Sequence, residues 1–404
     1  MKIVALTAHG VRNLQPLQLV PRERFNVFIG DNGQGKTSVL EAIYVTSTLR
    51  SFRTPKLSDL IAFGQPEAKL GARVVKDELT RVYELELAPG SRKVRLDGKA
   101  VRPLSRYFGG FNVVVFTPED LALPRGSPGD RRRFLDRGVF NFSSGYLATA
   151  TDYDKVLRSR NAVLKQAGEG RLGGTQVDDM LAIYDAQLAQ LAEKMVTARL
   201  QFLAALAPEL SRAFSAITRT GMQATVRYAS KLVAETSADT WLVEGAPRSE
   251  NASPRLIDDA SHAAIAVKGL DRVVPSAEIE LRLRQGRARD LASQSTQLGP
   301  HRDDIVLELD GREAGSFASQ GQLRAIMLAW KTAELSVLGA AHGDPPILLL
   351  DDVSSELDSA RNEYLFQHLA TLAGQCFITT THGGHVLLRE HRADYAIQGG
   401  RIVA

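Results

Sequence analysis

The stretch GDNGQGKTS, residues 30–38, decides the fold; it follows the apolar run FNVFI and precedes a helical pattern. Glycine, four residues and then Gly-Lys-Thr is the spacing of a phosphate-binding loop between a strand and a helix. The glycines let the backbone wind tightly, so that successive N–H groups face a phosphate chain, and the helix adds the positive end of its dipole. Because a strand and a helix flank the loop in the required order, the sequence predicts a nucleotide site rather than a glycine-rich turn without a ligand.

The residues of this loop have distinct expected roles. Lys36 would bridge the β- and γ-phosphates, and Thr37 would place its hydroxyl on Mg²⁺. The expected contacts to the nucleotide come from Gly30, Asp31, Asn32, Gly33, Gln34, Gly35, Lys36, Thr37 and Ser38.

A second stretch, LLLDDVSSELD at residues 348–358, sets bulky aliphatic residues against two adjacent aspartates. An apolar run that ends in acids is typical of a parallel strand at its carboxyl-end loop. Beside a phosphate-binding loop, Asp351 would hold the Mg²⁺ ion that Thr37 coordinates. Asp352 would lie beside the γ-phosphate, where a carboxylate can orient or activate the attacking water. Because aspartate reaches one methylene less far than glutamate, we expect slow hydrolysis.

Composition restricts the class of protein. The chain has 404 residues, 44% hydrophobic and 24% charged, which is typical of a soluble globular protein with two domains or one large insertion. Cys376 is the only cysteine, which excludes a disulfide framework and a cysteine zinc site within one chain and fits a reducing compartment. The sequence shows no signal peptide and no run of eighteen apolar residues. We therefore expect a cytoplasmic protein without a membrane partner.

The pattern along the chain changes several times. Residues 70–116 follow a period of two with turn signals, which predicts an antiparallel β-subdomain. Residues 130–230 are mostly helical, with an apolar seam from Val177 onward at spacings of three and four. We expect Pro208 to end or kink that helix, because its ring blocks a backbone hydrogen bond. Residues 230–260 carry turn formers without a period and predict a flexible surface loop.

From about residue 296 onward, strands and helices alternate again, as in a parallel α/β sheet. Both ends of the chain thus form one predicted α/β domain, residues 1–130 and 290–404, with a parallel-sheet core and an antiparallel β-subdomain. Residues 131–289 are predicted to form an inserted, mainly helical arm.

The segment ASQGQ, residues 318–322, opens a long amphipathic helix before the aspartate strand. By itself, Ser319-x-x-Gln322 is a capping box. Along the chain, however, a phosphate loop is followed by this helix start, then by LLLDD, SSELD and ITTTH. This order of parts resembles that of ATP-binding-cassette ATPases, and it implies an ABC-type P-loop ATPase head with ATP and Mg²⁺ as cofactors.

In that class, the signature helix presents its serine and its amino-terminal dipole to the γ-phosphate held by a second subunit. The resemblance implies nucleotide contacts from Ser319, Gly321, Gln322 and Asp358, the last in a dimer-contacting loop that begins at Ser355. It implies catalytic roles for Lys36, Ser319, Asp352 and His382, the last as the switch histidine. Gln320 replaces the expected first glycine, and Asp352 replaces the usual glutamate. Without this context, His382 could simply begin a helix at THGGH.

Further segments identify a narrower group. The segments PEDLALPRGSPGDRRRFLD at 118–136, YDKVLRSRNAVL at 153–164 and GPHRDD at 299–304, together with LLLDDVSSELD, are similar to the RecF family of bacterial recombination-mediator ATPases. This similarity implies an ATP-dependent homodimer with slow, DNA-stimulated ATPase activity that binds single-stranded or gapped DNA. It also implies work with RecO and RecR to load RecA, which supports replication restart and SOS induction.

Two other classes share the nucleotide motifs. A transporter ATP-binding subunit places its signature close to the phosphate loop, whereas Lys36 and Ser319 lie far apart in this chain. Another SMC-like chromosome or repair ATPase would have a long coiled coil with a cysteine hook or a hinge; this chain has about 100 predicted helical residues and no cysteine pair.

Basic clusters are candidates for DNA contacts. The segment 91–106 carries Arg92, Lys93, Arg95, Lys99, Arg102 and Arg106 against one acid, Asp97, and is either a DNA contact or a solvated face. The run 131–133 places three arginines near a helix start, where positive charge opposes the dipole unless a phosphate or a carboxylate compensates. Further candidates near the nucleotide are Arg12, Asn13, Arg50 and Arg53.

Overall fold

Two six-stranded sheets build the first of two compact units, which comprises Met1–Ala122 and Met327–Ala404. The structure is a computed structural model and describes residues 1–233 and 273–403. The strands of this unit are β1 (Lys2–His9), β2 (Leu17–Leu19), β3 (Phe25–Ile29), β4 (Ala68–Lys76), β5 (Leu79–Ala88), β6 (Ser91–Leu96), β7 (Lys99–Ala100), β8 (Val113–Phe116), β12 (Ile347–Asp351), β13 (Cys376–Thr380), β14 (Arg392–Gln398) and β15 (Arg401–Val403). Its helices are α1 (Lys36–Thr48), α2 (Pro118–Leu121), α10 (Ser359–Leu372) and most of α9 (Gln320–His342).

One sheet has the strand order β15-β14-β3-β13-β12-β8 and is parallel except for the β14–β15 pair. Every residue of β8, β12 and β13 is buried, as expected for strands that are covered on both faces. The predicted parallel sheet is confirmed, and Cys376 is a buried free cysteine at the start of β13.

The other sheet is antiparallel, with the order β2-β1-β4-β5-β6-β7. The β-subdomain predicted over residues 70–116 is confirmed for β4 to β7, but β8 pairs in parallel with β12, so that end of the prediction is wrong. The four consecutive buried residues of β8 carry no period-two pattern that would assign them to either sheet.

Helix α1 packs against strands of both sheets, including β4 and β5 of the antiparallel sheet and β12 and β13 of the parallel one. Twelve of its residues are buried, among them Val39, Leu40 and Ile43, in one core cluster with Leu85 and Phe377. A helix that is apolar on all sides is stable only inside a core. This burial fixes the amino-terminal end of α1, which belongs to the phosphate loop.

The second unit, Leu123–Ile326, is mainly helical. Its helices are α3 (Pro128–Phe142), α4 (Tyr146–Gly168), α5 (Thr175–Thr218), α6 (Ser276–Gln285), α7 (Arg287–Ser293) and α8 (Ala314–Phe317), and its strands are β9 (Ala224–Ala229), β10 (Asp304–Leu309) and β11 (Arg312–Glu313) in the antiparallel order β11-β10-β9. The sequence predicts the second domain boundary near residue 290. The two compact units of the structure instead meet in the chain after Ile326, so that β10 and the start of α9 belong to the second unit.

Helix α5 continues through Pro208 to Thr218, so Pro208 does not end the helix, which was one of the two expected outcomes. Proline removes one backbone donor, but Leu206, Leu210 and Phe214 on the same helix are fully buried and hold its last turns in place. The predicted apolar seam is confirmed by the burial of residues such as Leu188. The range 130–230 is mostly helical as predicted, but it also contains strand β9, which was not predicted.

The flexible loop predicted over residues 230–260 lies outside the described residues from residue 234 onward. Within residues 1–233 and 273–403, no helix combines the length and the apolar character needed to cross a bilayer.

Candidate nucleotide site

The phosphate-binding loop follows β3 and leads into α1, as predicted. Gly35, directly before α1, has a φ of 110°, a left-handed conformation that other residues rarely adopt. A side chain at Gly30 would place its Cβ 2.4 Å from the carbonyl oxygen of Ile397 in β14. Both glycines are therefore required by the geometry of the loop.

Lys36 lies over the loop that precedes it. Its Nζ donates hydrogen bonds to the carbonyl oxygens of Gly30, at 2.5 Å, and Asp31, at 2.9 Å. An ammonium group has three donors, so Lys36 can hold the loop and still donate to a phosphate.

Residues distant in sequence brace the loop. Asn13 donates from Nδ2 to the carbonyl oxygen of Gly33, at 2.7 Å, and accepts from Ser38 Oγ, at 2.8 Å. On the other side, the N–H of Gly399 donates to Gln34 Oε1, at 2.6 Å. These contacts fix the loop before a ligand binds. Only Asn13 was a candidate from sequence, and the turn at Gly399 was missed.

Asp351, at the end of β12, is brought to the start of α1 as predicted. Its Oδ1 accepts hydrogen bonds from Thr37 Oγ1, at 2.8 Å, and Thr379 Oγ1, at 2.7 Å. Burial raises the pKa of Asp351, and the two threonine hydrogen bonds partly oppose this shift. Sequence reasoning missed Thr379, although the run ITTTH ends the strand next to β12 and places Thr379 opposite Asp351.

Asp352 has a left-handed backbone, with a φ of 50°. Its N–H is held by Thr379 through the carbonyl oxygen, at 3.2 Å, and Oγ1, at 3.0 Å. Its side-chain Oδ1 is buried and has no hydrogen-bond partner. A buried polar atom without a partner is rare and indicates a place for a water molecule or an ion.

These groups share an open cleft of ≈ 380 Å³ whose lining residues all belong to the first unit. The lining residues are Arg12, Asn13, Asn32, Gly33, Gly35, Lys36, Thr37, Ser38, Arg53, Asp351 and Asp352. Most of the loop residues predicted to bind the nucleotide are therefore gathered here, together with both aspartates.

A buried carboxylate that the sequence did not point to holds the two arginines of this cleft. Glu41 in α1 is fully buried; it accepts from Arg12 Nε and Nη2, each at 2.9 Å, and Arg53 Nη1 lies 3.5 Å from it. Ser51 Oγ also donates to Glu41, at 2.5 Å. The hydrogen bond to Glu41 raises the pKa of Arg12. An acid within the apolar run SVLEAIYV is the signal that could have identified Glu41.

The remaining predicted site residues lie at element ends. Ser319 and Gln322 form the predicted capping box: Ser319 N donates to Gln322 Oε1, at 2.8 Å, and Gln322 N donates to Ser319 Oγ, at 3.2 Å. Gly321 lies between them in the first turn of α9. Asp358 caps α10 by accepting from the N–H of Arg361, at 2.9 Å. His382 is exposed, lies two residues after the end of β13 and precedes a short 3-10 turn.

The arginine run 131–133 has acidic and carbonyl partners within its own unit. Arg131 makes a two-point ion pair with Asp304, at 2.8 and 2.5 Å, and Arg132 donates to the carbonyl oxygen of Asp303, at 2.7 Å. Arg133 pairs with Asp130. Of the two partners considered from sequence, a phosphate and a carboxylate, carboxylates contact Arg131 and Arg133.

Three features define a P-loop ATPase head of the ABC type. They are a phosphate-binding loop between a parallel strand and a buried helix, an aspartate pair at the end of another strand of the same sheet, and an adjoining antiparallel subdomain. Residues 2–397 match the family model described as RecF/RecN/SMC N terminal domain. The DNA replication and repair protein RecF of Myxococcus xanthus (strain DK1622) is 37% identical over 407 residues, which cover 100% of this chain and 97% of that protein. The protein of the same description from Anaeromyxobacter sp. (strain Fw109-5) is 38% identical and is covered to 99%. The chain belongs to the RecF family.

Solved structures agree with this assignment. A structure of the recombination mediator protein RecF with ATP in the RecFOR pathway superimposes with a TM-score of 0.81 at 27% identity, covering 99% of this chain and 96% of that one. An SMC head bound to the C-winged helix domain of ScpA gives a TM-score of 0.50 at 14% identity, which shows a shared fold.

Proposed function

We propose that this chain is an ATP-dependent DNA-binding dimer of recombinational repair. It binds single-stranded or gapped DNA and helps to load RecA together with RecO and RecR, in support of replication restart and SOS induction. The main support is the cleft in which Lys36, Thr37 and Asp351 meet, in a chain that is similar to RecF proteins over its whole length. A role in DNA repair favours a cytoplasmic location, and so does the single cysteine, which suits a reducing compartment.

ATP and Mg²⁺ are the proposed ligands of the cleft. The residues present suit Mg²⁺, because Thr37 and Asp351 supply oxygen donors and the buried Asp352 Oδ1 has no partner. Thr37 and Asp351 would hold the ion, which when bound neutralises charge on the β- and γ-phosphates. The loop residues 30–38 would hold the phosphates through their N–H groups and Lys36.

We assign slow ATP hydrolysis, stimulated by DNA, to the same cleft. Asp352 would accept a proton from, or orient, the attacking water, and its backbone is fixed for this task by Thr379. His382 would act as the switch histidine beside the γ-phosphate. Asp352 is shorter than the glutamate usual in this class, which supports a low rate.

Dimerisation would complete each site. The lining of the cleft comes from the first unit, whereas Ser319 and its helix start belong to the second. The amino terminus of α9 carries the positive end of the helix dipole, which suits a γ-phosphate held by another copy. Ser319, Gly321, Gln322 and Asp358 would therefore contact ATP bound to the partner subunit.

The test is the mass of the protein in solution, measured by light scattering with and without Mg²⁺-ATP and gapped DNA. We expect a dimer that depends on ATP in the wild type and its loss in Lys36→Arg, because arginine cannot replace a compact ammonium in a tight loop. Lys155→Ala, which alters an exposed lysine of α4, is the matched control. Wild-type nucleotide affinity and dimerisation in Lys36→Arg would contradict the proposal.

A further inference from the structure

The position of the signature serine depends on the chain that precedes it. Ser319 follows the one-turn helix α8 and Ala318, and its capping box with Gln322 fixes it only relative to its own helix. Ser319 is itself exposed, whereas Ala318 is buried. Whatever holds Ala318 therefore determines where the hydroxyl of Ser319 lies.

Arg125 holds this segment. Its Nη2 donates to the carbonyl oxygen of Ala318, at 3.0 Å, and its Nε donates to the carbonyl oxygen of Gly315, at 3.2 Å. The last carbonyls of a helix lack partners within the helix, and a guanidinium can satisfy two of them with one planar group. One of the two carbonyls belongs to the residue directly before Ser319.

The backbone around Arg125 also lies against α8. A side chain at Gly315 would place its Cβ 2.3 Å from the carbonyl oxygen of Pro124, so only glycine fits there. Arg131 anchors the same segment from its other end, because it donates to the carbonyl oxygen of Gly126, at 2.7 Å, and pairs with Asp304 of β10. The sequence PRGSPGDR, residues 124–131, is thus fixed to β10 and to α8.

We infer that Arg125 is a positioning residue for Ser319 and that the segment 124–131 supports the signature. The inference rests on the proposed function, since it requires that Ser319 act on ATP held by a second copy. Arg125 does not touch the nucleotide. It sets the approach of the serine through the carbonyl oxygens of Gly315 and Ala318.

This role predicts a specific kind of defect. Arg125→Ala should lower ATP turnover and the ATP-dependent dimer fraction by about tenfold, because two charge-assisted hydrogen bonds are removed. ATP affinity of the separate chain should stay unchanged, since the cleft belongs to the other unit. Arg125→Lys should recover part of the loss, because one ammonium can still reach a carbonyl. Arg289→Ala, at an exposed arginine of α7, is the matched control and should behave as the wild type.

Mixed dimers decide whether Arg125 acts through Ser319. In a heterodimer of Lys36→Arg with Ser319→Arg, one of the two composite sites carries neither defect, so this reference pair should regain activity. If it does not, although heterodimers are present, the site is not shared between copies, and the role of Arg125 is overturned with it. If the reference pair recovers, Arg125→Ala should recover equally with Lys36→Arg and should gain nothing with Ser319→Arg. Recovery with Ser319→Arg, or none with Lys36→Arg, overturns the role of Arg125 alone.

Discussion

At the scale of single residues, Asp352 combines a left-handed backbone with a buried oxygen that has no partner. Aspartate and asparagine tolerate this backbone better than other non-glycine residues do. Asp352→Asn therefore removes the charge with little change in conformation, and it separates the chemical role of the carboxylate from its structural one.

We expect Asp352→Asn to bind ATP with near wild-type affinity, to lose at least about tenfold in turnover and to accumulate the ATP-bound dimer. Nucleotide affinity, turnover and mass in solution would be measured on one preparation. An unchanged turnover rate would mean that another group positions the water.

Asp351 illustrates a conflict between stability and function. Its pKa is raised by burial, so the folded chain binds this proton more tightly than the unfolded chain does. The contribution of Asp351 to stability is therefore present at pH values below the ordinary aspartate pKa and is lost as pH rises through the raised value. At neutral pH without Mg²⁺, the ionised group opposes folding.

Asp351→Asn should thus raise the free energy of unfolding at neutral pH, without Mg²⁺, by on the order of 1 kcal/mol, while weakening Mg²⁺-dependent ATP binding. The gain should disappear at pH values below the ordinary pKa. Urea unfolding at two pH values, with and without Mg²⁺-ATP, would measure both effects. A loss of stability at neutral pH would show that the hydrogen bonds from Thr37 and Thr379 outweigh the burial of charge.

At the scale of elements, sequence patterns identified those parts whose signal is local. The loop glycines, the apolar run of β12 and the apolar seam of α5 each carry their own pattern, and the structure contains all three elements. Strand β9 did have a local signal, since alternate residues such as Val226 and Tyr228 are buried, but the long helical range around it concealed six residues of period two. Of the end or kink expected at Pro208, the end does not occur, because the packing of later turns outweighs one missing hydrogen bond.

The basic hairpin of β6 divides its charges between two faces. Lys93 and Arg95 share a face with Glu86, which lies 2.9 Å from Arg95 and 3.7 Å from Lys93, whereas Arg92 lies opposite Leu87 on the other face. The hairpin is therefore partly neutralised by its own sheet, a property that the number of basic residues alone could not show.

If this face binds DNA, Glu86→Gln should strengthen binding and Lys93→Ala/Arg95→Ala should weaken it. Removing one side chain that neutralises a phosphate should lower the salt slope of log K by roughly 0.7 to 0.9. Glu78→Gln, at an exposed acid in the turn before β5, makes the same change in net charge and serves as the control. Binding across a salt series in saturating ATP is the measurement. If Glu78→Gln and Glu86→Gln change DNA binding equally, this face is a solvated surface and does not contact DNA.

At the scale of the whole molecule, the site needed contacts that no local pattern reveals. Arg12, Thr379 and Gly399 lie in or after three different strands, and they contact Glu41, Asp351 and Gln34, respectively. Sequence reasoning placed the loop and Asp351 through their motifs. It overlooked Glu41 despite the acid within an apolar run, and it could not find the turn at Gly399, because the partner of that turn is set by strand order.

The two residues that flank the segment 234–272 lie side by side in the second unit. Val233 and Val273 form an antiparallel bridge, and the N–H of Val274 donates to the carbonyl oxygen of Leu232, at 2.9 Å. The chain therefore leaves and returns at one place, where a two-residue turn can join the ends.

Replacing residues 234–272 by Asn-Gly should not lower the free energy of unfolding and should preserve the ATP-dependent dimer, because the two ends lie together at the Val233–Val273 bridge and a shorter connection costs less entropy to close. Urea unfolding and light scattering would check this expectation. Loss of the dimer with folding intact would instead assign a role in assembly to the replaced segment.

The brace between Gln34 and Gly399 joins residues 365 positions apart, and β3 lies between β13 and β14. On the ribosome, the phosphate loop emerges long before the strands on both sides of β3 are synthesised. A nascent chain can form the α4–α5 hairpin long before its phosphate loop can bind a phosphate. The ability to bind ATP is therefore acquired only once β14 and the turn at Gly399 have been synthesised, and a product cut short before β14 would have no working ATP site.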